Sequence, residues 1–140
     1  MIEEDYVSFE TARLLRGKGF GGECLSMYVS PKYHSGKGNP DDKRIAPHGR
    51  DTSYYEGYQY ECEAPTLQMA MKWLRKNFNM NPVPYATSIG WYFEVFDLTQ
   101  RDITDCALLY QIGIPSKEKT FATYEEACEA AIKYCLENLI

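Results

Sequence analysis

The chain has 140 residues, 44% hydrophobic and 25% charged, with a formal net charge of -5. That length fits one domain with one sizeable core, and the acidic balance argues against general nucleic-acid binding, which rests on a basic surplus. Five cysteines, an odd number with no C-x-x-C pair, argue against a disulfide framework and against a thiolate zinc site.

The opening Met1-Ile2-Glu3-Glu4-Asp5 is acidic and lacks the basic and apolar regions of a secretory signal. No apolar run approaches the length of a membrane span, so no membrane association and a cytoplasmic location are expected. The first helix is predicted from about Ser8 to Arg16, with Ser8 as N-cap and Gly17 and Gly19 as stop. Phe9, Ala12, Leu14 and Leu15 form its apolar stripe, and Phe20 can fold back on it. A strand is predicted over Cys24 to Val29, with Leu25, Met27 and Val29 on one face. A second covers Tyr54 to Cys62, grouping Tyr54, Tyr58 and Tyr60 around Glu56.

The second helix, from about Thr66 to Asn77, repeats Leu67, Ala70, Met71, Leu74 and Phe78 at helical spacing. Lys72, Arg75 and Lys76 sit late in it, where cations suit the dipole. Asn79, Asn81, Pro82 and Pro84 are expected to end it. The strand from Thr87 to Leu98 sets Ile89, Trp91, Phe93 and Val95 against Ser88, Tyr92, Glu94 and Phe96. Ala107 to Ile112 alternates as well, and the short polar link between them predicts a hairpin. Thr123 and Glu126 make a capping box for the last helix, whose face runs through Tyr124, Ala127, Cys128, Ala131, Ile132, Cys135, Leu136 and Leu139. Cys128 and Cys135, seven apart, share that face as small buried hydrophobes.

The expected fold is therefore α+β, a single domain over 1–140 in the order α-β-β-α-β-β-α. It would have one antiparallel four-stranded sheet with helices packed mainly on one face. A loose echo between Ala12 to Phe20 and Ala70 to Phe78 hints at two related halves.

The segment Ser30 to Ser53, a long polar loop over 31–53 between the first two strands, is the unusual feature. It is rich in glycine and proline and long for a connection inside a domain. It carries Lys32, Lys37, Lys43, Arg44 and Arg50 against Asp41, Asp42 and Asp51, so it is net +2 on a remainder of -7. Backbone N–H groups near Gly36 and Gly38, with Lys37, Arg44 or Arg50, could hold phosphate. The simpler alternative is a solvated excursion. Ser35-Gly36-Lys37-Gly38 lacks the spacing and the following helix of a P-loop. His34 and His48 lie too far apart in such a segment to predict a metal pair, unless the loop packs near Cys24 or Cys62.

Tyr54, Tyr55, Tyr58 and Tyr60 could stack on bases, as could Trp91 and Tyr92, although aromatic residues in strands more often pack on neighbours or form protein contacts. Catalysis has little support. There is no serine elbow and no local Cys-His signature. Asp102 and Asp105 suit a turn, and Glu56 and Glu94 have no evident partner.

Four stretches, 6–20, 65–75 (PTLQMAMKWLR), 91–95 (WYFEV) and 123–140 (TYEEACEAAI and onward), resemble a group of small uncharacterised α+β proteins of gut Bacteroides-type bacteria, their phages and mobile elements. The resemblance covers about half the chain and implies no activity, cofactor or site residue; the basic loop departs from it. Its phage association raises, by analogy of setting, the expectation of a small non-enzymatic binding protein of phage or mobile-element type that contacts a host or phage protein. A homodimer is compatible with the need to cover sheet edges. The alternative is a nucleotide- or phosphate-ligand binder using Lys37, Arg44, Arg50, Tyr54, Tyr55 and Trp91, and a second is an enzyme with an unrecognised site. No cofactor and no metal are expected.

Overall fold

Ser8 is extended, and its hydroxyl accepts from Thr11 N, which starts helix α1 (Phe9–Gly17). The helix stops on a left-handed glycine. Gly19, at φ 98°, donates to Arg16 O, and Phe20 N donates to Leu15 O. That is the Schellman arrangement, and it returns Phe20 to the buried face beside Leu15 as the sequence implied. These local features follow directly from residue order.

The computed structural model describes residues 3–22, 24–32, 42–48, 57–99, 107–110 and 120–140, with 107–110 described in backbone only. They divide into two compact units, Tyr6–Thr66 and Leu67–Ile140 with Met1–Asp5.

In the unit Tyr6–Thr66, α1 is followed by strands β1 (Ser26–Pro31), β2 (Arg44–Pro47) and β3 (Tyr58–Glu63). They form an antiparallel sheet in the order β2-β1-β3. Its core holds Val7, Ala12, Leu15, Phe20, Tyr28, Val29, Ala46 and Cys62. Tyr28 donates its hydroxyl to Val7 O at 2.6 Å and meets Phe9 edge-on, which ties the start of α1 to the central strand.

Three expectations are corrected here. The first strand starts later, and Leu25, expected to share a strand face with Met27 and Val29, lies before it and is 87% exposed. The loop 31–53 is not uniformly loop: Arg44–Pro47 pairs with β1, and Ala46 is fully buried opposite Met27. The tyrosine strand is interrupted before Tyr58, because Gly57, at φ 83°, is a turn residue; Tyr54 and Tyr55 lie outside the described residues, and Tyr60 is exposed.

In the unit containing Leu67–Ile140, α2 (Leu67–Phe78) leads into β4 (Met80–Thr87), β5 (Gly90–Asp97), β6 (Ala107–Tyr110) and α3 (Tyr124–Tyr134), whose end widens into a π-helical segment, Cys135–Leu139. The sheet is antiparallel in the order β4-β5-β6. So the expected four-stranded sheet is replaced by two three-stranded sheets, and the order among the described residues is α-β-β-β-α-β-β-β-α. The α+β class and the β5–β6 hairpin stand as expected.

Asn79, in the left-handed region at φ 54°, reverses the chain after α2 so that β4 starts at once. The residues expected to end the helix, Asn81, Pro82 and Pro84, are strand residues. Trp91 exchanges both backbone hydrogen bonds with Phe121, so its N–H points away from β4. Phe93 and Val95 share that direction by strand alternation. Their partners Pro84 and Pro82 therefore sit where no ladder donor is needed. The prolines also leave the outer edge of β4 without donors at those positions, which discourages strand addition.

The core of this unit joins Leu67, Ala70, Met71 and Leu74 of α2 to Phe93 and Val95 of β5 and to Ala127, Cys128, Ala131 and Ile132 of α3. Thr123 caps α3 by accepting from Glu126 N, and Glu126 reaches back to accept from Ala122 N. Among the described residues no helix is long and apolar enough to cross a membrane.

Candidate functional site

The most organised polar cluster grows from a single extra residue in β3. Tyr28 pairs with Cys62 and Val29 with Tyr60, so Glu61 has no partner of its own and forms a bulge. In a regular strand, Tyr60 and Glu63 would point to opposite faces. The bulge puts them on the same face, where the Glu63 carboxylate bears on the Tyr60 phenol. Burial first, and then that carboxylate, raise the Tyr60 pKa above the usual phenol value.

Glu63 collects donors. His48, just past β2, places Nε2 at 2.9 Å and 2.8 Å from the two carboxylate oxygens. A carboxylate only accepts, so Nε2 carries the proton, which fixes the ring's orientation. The backbone N–H of Cys24 donates to the same carboxylate at 3.2 Å. His48 N in turn donates to Leu25 O at 2.9 Å, which holds the exposed Leu25 beside the cluster. Arg16 of α1 donates to Glu61 O, and its guanidinium lies 5.7 Å from the Tyr60 ring centroid. The His48 and Tyr60 rings are 6.5 Å apart.

Glu61 faces the other way. It accepts from the Ser30 hydroxyl and pairs with Lys43 at 3.6 Å. The Ser30 hydrogen bond is the main reason its carboxyl titrates below the usual range. Lys43 lies 5.1 Å from the Phe9 ring centroid, and Arg13 lies 5.8 Å from it.

The thiols of the described residues are poor nucleophiles. Burial, then the Glu63 charge, push Cys24 up to about 11, and burial pushes Cys135 up to about 12. Cys62 and Cys128 are also raised, mainly by burial. In a Cys106→Ser background, native Cys24 should therefore alkylate with iodoacetamide at pH 8 about 100-fold more slowly than an exposed thiol, because its thiolate fraction falls in that proportion. The raised values favour the fold below the unfolded thiol pKa near 9.0, and that contribution is lost as pH rises towards about 11 and about 12. Alkylation of the native protein as fast as of the urea-unfolded chain would contradict this.

The sequence-predicted ligand residues are not assembled into one site. Arg44 is held by Asp42, with Nε to Oδ1 at 3.2 Å and Nη2 to Oδ2 at 3.2 Å, and lies over the Tyr58 ring. Trp91 belongs to the other unit, bonded to Phe121 and edge-on to Tyr124 at 5.4 Å. Lys37, Arg50, Tyr54 and Tyr55 lie outside the described residues. So does His34, whereas His48 and the backbone of Cys24 both meet the Glu63 carboxylate. No group of three or more His, Cys, Asp or Glu among the described residues is placed to hold a metal. Glu63 and Arg16 were not singled out from sequence. Glu63 pairs with a histidine fifteen positions away, and no local pattern announces that contact.

Comparison with protein-family models, with curated proteins and with solved structures finds no match to this chain.

Proposed function

We propose that this chain is a binding protein that acts through contact with another protein, and that Tyr60 anchors the contact. The observation that carries this reading is that Tyr60 is 49% exposed yet flanked by fixed groups, Glu63 on the same face of the strand and the Arg16 guanidinium against its ring. A large amphipathic side chain fixed before binding loses little entropy on association, and Tyr and Arg are enriched at interface centres. Leu25 adds apolar area beside it. On the sequence resemblance, the partner is a host or phage protein.

Tyr60→Ala should weaken partner binding about 30-fold or more, the range of a hot-spot truncation. The test is affinity capture from host lysate with wild type and Tyr60→Ala side by side, followed by affinity measurement on the captured protein. Sedimentation equilibrium of both forms covers the case in which the partner is a second copy. A partner retained equally by Tyr60→Ala would remove Tyr60 from the interface.

A further inference from the structure

The outward face of α1 presents a second surface with its own chemistry. An open groove of about 540 Å³ is lined by Phe9, Glu10, Arg13, Leu14, Gly17 and Lys18, residues that recur along one side of the helix. Its floor is apolar and stiff: Phe9 is braced edge-on against Tyr28 at 5.3 Å, and Leu14 is half-buried. Its flanks are cationic. Arg13 and Lys43 both sit on the Phe9 ring, and α1 with the residue after it carries Arg13, Arg16 and Lys18 against Glu10 alone. This is a local positive surface on a chain of net charge -5. Gly17 leaves the groove open, since a Cβ there would meet nothing within 4 Å.

We propose that this groove takes an acidic peptide segment bearing one apolar anchor residue. The anchor would lie on Phe9 and Leu14, in the space Gly17 leaves free. Flanking carboxylates would meet Arg13 and Lys18. Charge complementarity with Arg13 and Lys18 selects an acidic partner, and the apolar floor selects a side chain over a phosphate backbone. The nine residues of α1 span roughly 13 Å, enough for an anchor and its neighbours. This surface is separate from the Tyr60 contact and is tested separately.

The probe is a random dodecapeptide display library panned against the immobilised full chain. The enriched sequence is then fluorescein-labelled and titrated by anisotropy. The expected result is enrichment of Asp- and Glu-rich sequences around a single Leu, Phe or Trp. Arg13→Glu should then weaken binding about 10-fold or more through charge. Gly17→Leu, which adds no charge and whose Cβ would meet nothing within 4 Å, should weaken it comparably by filling the groove. Raising salt to about 0.5 M should also reduce affinity. Enrichment without acidic residues, or a peptide that binds both variants as wild type, overturns the proposal. So does a labelled oligothymidylate that binds more tightly than any peptide and is lost on Arg13→Glu. Loss on Tyr60→Ala with none on Arg13→Glu would move the peptide to the Tyr60 surface and leave the groove empty.

Discussion

Gly90→Ala should destabilise the unit that contains it by about 3 kcal/mol, the strain of a glycine-only conformation added to a backbone clash. Gly90 has φ 143°, outside the range that side chains adopt. A Cβ there would come within 2.8 Å of Phe121 O and 2.9 Å of Thr120 Oγ1. The Phe121 carbonyl cannot simply withdraw, because it accepts from Trp91 N at 2.8 Å while Phe121 N donates to Trp91 O at 2.6 Å. Relief would break that pair and release the approach to α3, whose first residue, Tyr124, packs on Trp91. The chain has two tryptophans, and both Trp73 and Trp91 lie in this unit, so fluorescence-detected urea unfolding reports on it directly. The midpoint should fall by about 1–2 M. A shift below about 0.3 M would mean that the turn and the strand segment 120–121 yield far more cheaply than their geometry implies.

Leu15→Ala should have an effect of similar size in the other unit, about 3 kcal/mol within the usual span for a buried leucine. Leu15 is fully buried on the inner face of α1, between Thr11 and Ala12 on one side and the returning Phe20 on the other. Truncation would leave a cavity under the helix that carries Arg13 and Arg16. The functional consequence is specific: Arg16 would lose its fixed position over Tyr60 and at Glu61 O, and the Phe9 floor would loosen. Hydrogen exchange should show faster opening of the α1 amides and of the Phe20 N–H bonded to Leu15 O. Unchanged protection there would show that α1 is held chiefly by contacts other than its buried leucine.

Both proposed surfaces draw on one structural device. Cations of α1, Lys43 just before β2 and Arg44 at its start are set over aromatic rings, at Phe9, Tyr60 and Tyr58. Each ring has a cation against it while part of it faces solvent. That is the preparation a recognition surface uses, since groups ordered before contact lose less entropy on association.

The helices, their caps and their buried faces could be read from residue order, because those signals act over three or four positions. Ser8 and Thr123 cap their helices, Gly19 stops α1, and Leu67, Ala70, Met71 and Leu74 line one face of α2 for that reason. The alternating run through Phe93 and Val95 was equally legible. Strand β2 was not, since four residues between glycines and prolines carry no periodicity, and it exists because β1 supplies its hydrogen bonds and buries Ala46. Strand β4 was hidden by Pro82 and Pro84, which are tolerated only because pairing with β5 leaves both nitrogens on the outer edge. The candidate site depended most on long-range pairing. Nothing near Glu61 marks a bulge, yet the register between β1 and β3 inserts one residue there, turns Glu63 onto the face of Tyr60 and sets it against His48. Side-chain periodicity is a local property of the backbone, whereas register and sheet partnership are settled by which strands meet when the core closes.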